Sequence, residues 1–254
     1  MNKAIVWLLF LFLLFSSCQS ISRDRTELNI PLRVVYFSFD DGPNACDDTT
    51  VRLLEVLGKY QIRAMFCLLG ENAEQYPGLV RRIYDNGHYI INHGYADKHA
   101  SKMNEDEFRD NLIRGELAIS SALGFDVNPK LYRPHGGFYS SHQEKICSDE
   151  GYTIVPVNVR VYDAIETAAD RRKIARRVIK KVEKQGGGMV LLHDARGSHS
   201  SQKAKLEKNP SGAFNRSWIP ETVEEIITIL LDRGFILNDQ NIISAAGTVP
   251  ISDL

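Results

Sequence analysis

The sequence lacks an excess of charge of either sign and, after residue 15, any long apolar run. Its 31 Lys and Arg side chains nearly balance its 32 Asp and Glu side chains, and the formal net charge is −1. Nothing therefore indicates a nucleic-acid partner, since surfaces that bind nucleic acid are usually strongly basic. No segment beyond the amino terminus approaches the ~20 apolar residues that a membrane-spanning helix needs. Internal repeats and linkers between domains are also absent.

The one long apolar run lies at the amino terminus, from Ala4 to Phe15. It follows a short positive start and has the length of the apolar core of a secretory signal. The small residues before Cys18 are similar to the lipobox of bacterial lipoproteins, in which cleavage leaves an acylated cysteine. We therefore expect a signal peptide over 1–17, a lipidated tether over 18–32 and one domain over 33–254. An ordinary cleaved signal or a hydrophobic anchor is the alternative, and every interpretation places the domain outside the cytoplasm.

Cysteine is scarce, with four residues in the whole chain. If Cys18 carries lipid, an odd number remains, which is unusual for an exported protein. Cys67 lies in an apolar run and is expected in the core. A disulfide between Cys46 and Cys147 stays open, because spacing alone cannot establish it.

Short apolar runs alternate with amphipathic stretches from Arg33 onward. Alternation of strand and helix predicts a parallel sheet covered by helices, and about seven units favour a distorted, TIM-like (β/α) barrel. The predicted strands are Val34–Phe39, Ala64–Leu69, His88–Asn92, Lys130–Tyr132, Thr153–Val157, Met189–His193 and Phe235–Leu237. The predicted helices are Asp48–Tyr60, Leu79–Asn86, Glu105–Leu123, His142–Glu150, Arg171–Lys184 and Ile219–Arg233.

Two further segments have distinctive compositions. The helix Arg171–Lys184 is rich in Arg and Lys on one side, which indicates a solvated outer face or, alternatively, contact with an anionic envelope polymer. The segment Ala195–Ser217 is polar and long for a loop, and such loops are usually functional or disordered.

Reactive side chains follow the predicted strands at their carboxyl ends, which meet at one rim of a parallel barrel. They are Asp40, Asp41, His93, Asp97, Arg133, Asp163 and His193. A pair of carboxylates before Gly-Pro can present one oxygen to a metal and another to a proton. His93 and Asp97 are four residues apart, which places both on one side of a helical turn. We predict that Asp41, His93 and Asp97 bind a divalent cation and leave positions open for water and substrate.

The remaining groups suggest acid–base chemistry. Arg133 is expected to hold Asp40 in place and keep its pKa low, and His193 is the natural general acid. Each residue also has a plain structural interpretation: the carboxylate pair as turn residues, His93 as a buried histidine, and His193 as the end of a strand. The convergence of all of them on one rim favours an enzyme.

Five segments, in this order, resemble the NodB-homology polysaccharide deacetylases, the family-four carbohydrate esterases. The likeness runs from about Arg33 to Leu237. Residues 38–43, Ser-Phe-Asp-Asp-Gly-Pro, are similar to the family's opening Thr-Phe-Asp-Asp-Gly-Pro, and the segment 63–70 is similar to its second strand. His93 matches the first histidine of a His-x-x-x-His pair. Residues 133–137, Arg-Pro-His-Gly-Gly, resemble an Arg-Pro-x-x-Gly motif, and residues 191–193 match Leu-x-His.

The resemblance implies roles for these positions. Asp40 would be the general base, Asp41 the first metal ligand and His193 the acid, while Leu191 would line the acetyl pocket. Substrate contacts would come from Pro134, Gly137 and Asp163. The family's cofactor is one divalent metal ion, most often zinc or cobalt, with manganese and nickel as further options. Its reaction is the hydrolysis of an acetyl amide or ester on a sugar.

Three positions depart from the family pattern. Asp97 replaces the second histidine ligand, although His99, two residues later, is an alternative donor. Arg160 replaces the first Asp of Asp-x-x-Asp-Trp, and Ala164 replaces the Trp. A cation at 160 is expected to lower the pKa of a nearby His193 and weaken it as an acid, unless Asp163 compensates or Arg160 faces an anionic substrate.

We therefore expect a monomeric, lipid-anchored enzyme of the bacterial cell envelope that removes N-acetyl groups from a polysaccharide. Peptidoglycan, chitin-like oligomers and poly-N-acetylglucosamine all fit. An O-acetyl esterase and a catalytically weak glycan-binding protein remain the alternatives.

Overall fold

The computed structural model describes residues 33–128, 130–237 and 241–242. Within them, seven strands in chain order are Val35–Asp40 (β1), Met65–Leu68 (β2), Tyr89–Asn92 (β3), Leu131–Tyr132 (β4), Thr153–Ile154 (β5), Val159–Arg160 (β6) and Gly188–His193 (β7). All pair in parallel, in the spatial order β5-β4-β3-β2-β1-β7-β6. The sheet curls but β5 and β6 remain its two edges, so the predicted distorted barrel is confirmed in an open form.

Eight α-helices of the described residues cover the outside of this sheet. They are Thr49–Lys59 (α1), Gly70–Gln75 (α2), Pro77–Asp85 (α3), Glu105–Leu123 (α4), Ser141–Asp149 (α5), Arg171–Gln185 (α6), His199–Lys208 (α7) and Ile219–Asp232 (α8). Local chemistry fixes several ends: Asn104 and Glu107 form a capping box that begins α4, and Gly124 ends it at φ 80°. Short 3₁₀ turns lie at Ala100–Lys102, His135–Gly137, Asp163–Ile165 and Ala168–Asp170.

Four elements differ most from the prediction, and the first is α2, Gly70–Gln75, which was not predicted as a helix. β6 is only two residues long and was not predicted as a strand. The predicted strand Phe235–Leu237 contributes only an isolated bridge between Val34 and Ile236. The segment expected to be a long loop contains α7, whose one buried side chain is Gln202, so it lacks the apolar periodicity that marks a helix.

Alternation along each strand divides the core into two layers. On β1, Val35, Phe37 and Phe39 face the helices, where they join the large outer cluster. Val34 and Tyr36 face the inside of the curl with Met65, Cys67, Ile91, Leu131 and Met189. The period of two along a strand thus sends even-numbered residues of β1 inward, which decides where Asp40 points.

The basic helix α6 buries Ile174, Ala175, Val178, Ile179 and Val182. It packs against α8 and leaves its cationic side exposed. Several of those cations pair with neighbours, as Lys173 and Arg177 both do with Glu166. The expected solvated outer face is therefore present.

The described cysteines, Cys46, Cys67 and Cys147, are all free, so the disulfide left open by the sequence is not formed. No helix in the described part of the chain is long and apolar enough to cross a membrane. The predicted signal peptide, Cys18 and the tether lie outside the described residues.

Candidate active site

The inward side of the sheet carries the reactive groups at its carboxyl end. Asp40 follows Tyr36 by four residues on β1, and His193 follows Met189 by four on β7, so both continue the inner layer. In register, Asp40 lies opposite His193 across the β1–β7 pair. His93 and Arg133 stand two residues beyond the inner Ile91 and Leu131. The alternation therefore places a carboxylate, two imidazoles and a guanidinium together at the carboxyl end of the curled sheet, on its inner side.

Asp40 is buried and held by an ion pair. Arg133 Nη1 donates to Asp40 Oδ1 at 2.8 Å and to Ser38 Oγ at 2.8 Å. Burial raises the pKa of Asp40, but the Arg133 guanidinium, together with His93 and His193, keeps the pKa below its ordinary value. Asp40 is therefore an ionised carboxylate at neutral pH, oriented by a charge-assisted hydrogen bond.

Asp41 follows the strand in the left-handed region, at φ 74°, which is uncommon for a residue with a Cβ. Asn72 Nδ2 donates to its carbonyl oxygen at 2.8 Å and fixes the turn. This turn aims Asp41 Oδ1 between two imidazoles, 3.5 Å from His93 Nε2 and 3.4 Å from His135 Nε2. Burial raises the pKa of Asp41, but the neighbouring His135 and His93 imidazoles bring it well below its ordinary value.

These three side chains fit a metal ion. One donor atom from each of Asp41, His93 and His135 lies within 4.8 Å of the other two. His93 Nδ1 lies 2.7 Å from the Arg133 carbonyl oxygen, to which it donates, and this leaves Nε2 as the free nitrogen. Asp41 Oδ1 is buried and makes no hydrogen bond within the described part of the chain. A cation bound by the three donors would supply the missing partner.

Asp97, which the sequence favoured as a ligand, lies beside this group of three and not in it. Its side chain is 42% exposed, and its Oδ1 lies 2.9 Å from His135 Nε2. Burial lowers the pKa of His135, but the neighbouring carboxylates of Asp41 and Asp97 together outweigh burial and raise the pKa to about 10. His99, the other alternative, packs its ring edge-on against His135.

His193 is supported by Asp163. Its Nδ1 lies 3.0 Å from Asp163 Oδ1, and its backbone N–H donates to Asp163 Oδ2 at 2.9 Å. Burial lowers the pKa of His193, but the Asp163 carboxylate outweighs burial and raises it to about 9. The lowering predicted from Arg160 is not found, because Asp163 directly supplies the carboxylate partner.

Arg216, which sequence reasoning missed, completes this arrangement. It is fully buried, and its Nη2 donates to Asp163 Oδ2 at 2.5 Å. Nε and Nη2 each lie 3.2 Å from the His193 carbonyl oxygen. Arg216 lies in the segment expected to be a loop, where no periodic pattern distinguishes an inward side chain.

The carboxylates and imidazoles described above line one cavity of about 610 Å³ together with Arg133, and this volume is within the range of small-molecule sites. Pro134, Gly137, Leu191 and Asp163, predicted to contact substrate, line it as well. Arg160 also reaches the cavity, and its guanidinium lies against Gly137.

The cavity wall near Ala164 has aromatic and aliphatic surface despite the absent Trp. Tyr162 and Ile165 line it and are 73% and 68% exposed. Tyr162 adopts φ 59°, in the left-handed region. Phe214 lines the cavity too, stacked under the guanidinium of Arg196 at 4.4 Å. These apolar faces suit a ring-shaped ligand with both polar and apolar surface.

Comparisons with known proteins agree on one family. The model of the family described as polysaccharide deacetylase matches residues 29–155. A peptidoglycan-N-acetylglucosamine deacetylase of Bacillus cereus is 34% identical over 165 residues, which span 65% of this chain and 57% of that protein.

Two solved structures are similar over nearly the whole domain. The Bc1960 peptidoglycan N-acetylglucosamine deacetylase has a TM-score of 0.65 at 28% identity, covering 86% of this chain and 90% of that one. A family 4 acetyl xylan esterase from Clostridium thermocellum, in complex with a cobalt ion, has a TM-score of 0.64 at 26% identity, covering 85% and 93%.

Proposed function

Because this chain belongs to the polysaccharide deacetylase family, we propose that it is a metal-dependent hydrolase that removes N-acetyl groups from a cell-envelope or extracellular polysaccharide. The observation that carries the proposal is the placement of an ionised carboxylate, Asp40, and an imidazole, His193, opposite each other beside three donor atoms close enough together to bind one metal ion. A base, an acid and a cation site at one cavity are the elements of acyl hydrolysis.

The metal would be held by Asp41 and His93, with a third donor from the rim where His135 and Asp97 lie. Zinc is the favoured ion, and cobalt, manganese and nickel are alternatives, since mixed nitrogen and oxygen donors accept all of them. When bound, a divalent ion polarises the acetyl carbonyl and stabilises the charge that develops on its oxygen.

Asp40 would act as the general base. Its carboxylate is ionised and oriented by Arg133, and its second oxygen lies 3.7 Å from His93 Nε2, next to the donor group. That position lets Asp40 accept the proton of a water molecule that attacks the acetyl carbonyl.

His193 would act as the general acid. It stands across the mouth from Asp40, and the contact with Asp163 keeps it protonated at neutral pH. A protonated imidazole at this place can deliver its proton to the departing sugar nitrogen. Leu191, two residues earlier on the same side of β7, would pack against the acetyl methyl group.

The glycan most favoured is peptidoglycan, because relatives named peptidoglycan N-acetylglucosamine deacetylases share sequence and fold with this chain. The similarity to an acetyl xylan esterase supports a second candidate, hydrolysis of O-acetyl groups on the same scaffold. Export, a signal peptide over 1–17, lipid on Cys18 and a monomeric state remain part of the proposal, and a cell-wall substrate is consistent with them.

The test is acetate release from peptidoglycan and from N-acetylglucosamine oligomers by metal-stripped protein, to which zinc, cobalt, manganese or nickel is restored singly. We expect metal-dependent release that Asp40→Asn abolishes while metal stays bound. Asp85→Asn, at an exposed carboxylate on α3, is the matched control and should behave as wild type. Release from O-acetylated glycan alone would favour the esterase, and binding without release would overturn the enzyme assignment.

A further inference from the structure

The proposed metal site departs from a simple His-x-x-x-His arrangement. The fold compensates for the missing second histidine with an imidazole from another part of the chain. His93 is followed four residues later by Asp97, whose side chain is more exposed than those of Asp41, His93 and His135. His135 comes from a different strand end, after β4, and its Nε2 faces Asp41 Oδ1. We infer that His135 is the third metal ligand of this chain and that Asp97 braces His135 from outside the donor set. The inference rests on the proposed metal dependence.

The spacing between donor atoms supports this assignment. With bonds of ~2.1 Å, as for zinc to nitrogen or oxygen, two ligands of a tetrahedral ion are about 3.4 Å apart. Asp41 Oδ1 lies 3.5 Å from His93 Nε2 and 3.4 Å from His135 Nε2. Asp97 Oδ1 lies only 2.9 Å from His135 Nε2, which is the length of a hydrogen bond. The first two separations suit a shared ion, and the third suits a bracing contact.

The backbone explains how His135 reaches this position. The 3₁₀ turn His135–Gly137 contains two residues in the left-handed region, Gly136 at φ 80° and Gly137 at φ 74°. A Cβ at Gly136 would collide with the ring of His99. The pair of glycines therefore lets the turn pack closely against His99 and hold the His135 imidazole over Asp41.

The burial of the donors points the same way. The side chains of His93, Asp41 and His135 are 2%, 7% and 12% exposed, whereas that of Asp97 is 42% exposed. Water competes less for donor atoms that are buried, so buried side chains bind an ion more tightly. The open side toward Asp97 leaves room for water and substrate. Two imidazoles and one carboxylate, with an open position, are the protein ligands found in catalytic zinc sites.

The experiment is titration of the metal-stripped full-length protein, in detergent, with cobalt(II), followed by the visible absorption of the bound ion. His135→Ala is expected to weaken cobalt binding by more than about 100-fold and to change the absorption bands of the cobalt that the variant still binds. Asp97→Asn is expected to weaken it by about 10- to 100-fold, as for a group outside the donor set, with the bands retained. His142→Ala, at an exposed histidine on α5 outside the cavity lining, is the matched control and should bind cobalt as wild type does. Circular dichroism without metal establishes that each variant is folded.

Cobalt affinity and bands in folded His135→Ala that equal those of wild type would overturn the inference while leaving the proposed function intact. Loss of binding in Asp97→Asn, with His135→Ala unaffected, would assign the third position to Asp97. If wild-type protein bound no cobalt or zinc, the proposed metal dependence would fail, and this inference with it.

Discussion

Arg216 and His193 lie on opposite oxygens of a single carboxylate, that of Asp163. Arg216 Nη2 approaches Oδ2 at 2.5 Å, and His193 Nδ1 lies 3.0 Å from Oδ1. Asp163 is buried, and the two partners together keep its pKa below the ordinary value against the effect of burial. The carboxylate is therefore fixed in orientation and stays charged, so its field acts steadily on the imidazole.

Asp163→Asn should lower kcat and shift the pH profile. Below its pKa of about 9, His193 is protonated and able to donate, and this ability is lost as the pH rises through that value. Removing the negative charge lowers the pKa of His193, so the alkaline limb of the kcat profile should move to lower pH. The expected loss at neutral pH is about 10²- to 10⁴-fold, the usual contribution of general acid catalysis. The measurement is kcat for acetate release against pH, and an unmoved alkaline limb would contradict the role of Asp163.

Arg216→Met should destabilise the fold because it leaves Asp163 charged and unpaired inside the protein. Removing one partner of a buried ion pair costs about 3–5 kcal/mol. The exposed pair of Arg52 with Glu221 is the matched control, and Arg52→Met should cost at most about 1 kcal/mol. Urea unfolding measures both values.

The double variant Arg216→Met with Asp163→Asn provides the internal check. With the buried charge also removed, it should be more stable than Arg216→Met alone. Equal instability of the two variants would show that the packing of Arg216, and not its charge, is what matters.

The alternation of inward and outward side chains along each strand, together with the positions of the strand ends, was enough to predict much of the candidate active site. Asp40 and His193 each extend the inner layer of a strand that reads clearly as apolar in sequence, so their convergence follows from the parallel sheet alone. The contact between Arg133 and Asp40 followed from their opposite charges at strand ends of one rim, although β1 and β4 are not adjacent in the sheet.

Other parts were not predictable because no periodic pattern marks them. His135 reaches the proposed cation site through a turn with two left-handed glycines, which no spacing pattern in the sequence indicates. Asp97, which lies beside His135, was favoured instead because it follows His93 by four residues. Arg216 comes from an irregular segment, and a buried arginine is rare enough that polar residues there were expected in solvent. Tertiary contacts alone place both side chains.

Arg133→Met should move the acid limb of the pH profile. Asp40 acts as a base when ionised, so activity appears as the pH rises through its pKa, which Arg133 holds below the ordinary value. Without that cation the pKa rises, and the acid limb should shift to higher pH. The loss of orientation should also lower kcat by on the order of 100-fold. Arg133→Lys keeps the positive charge, so its acid limb should shift less than that of Arg133→Met. Acid limbs at the same pH in wild type and Arg133→Met would contradict the pairing of Arg133 with Asp40.

Tyr162 offers the last prediction, which concerns binding of the glycan. Its ring is 73% exposed on the cavity wall, and the backbone is in the left-handed region at φ 59°. That conformation costs a residue with a Cβ roughly 1–2 kcal/mol, so Tyr162→Gly should leave stability unchanged or raise it slightly. If the ring packs on a sugar face, the same variant should raise KM by about 10-fold with little change in kcat, which is the mark of lost uniform binding.

The control for this variant is Tyr84→Ala, because Tyr84 is also exposed but packs against Phe125 on the outside of the fold. It should leave KM unchanged. The measurement is kcat and KM for acetate release from N-acetylglucosamine oligomers, together with urea unfolding. A KM for Tyr162→Gly equal to that of wild type would remove the ring from the binding surface, and the strain at φ 59° would then need a purely structural cause.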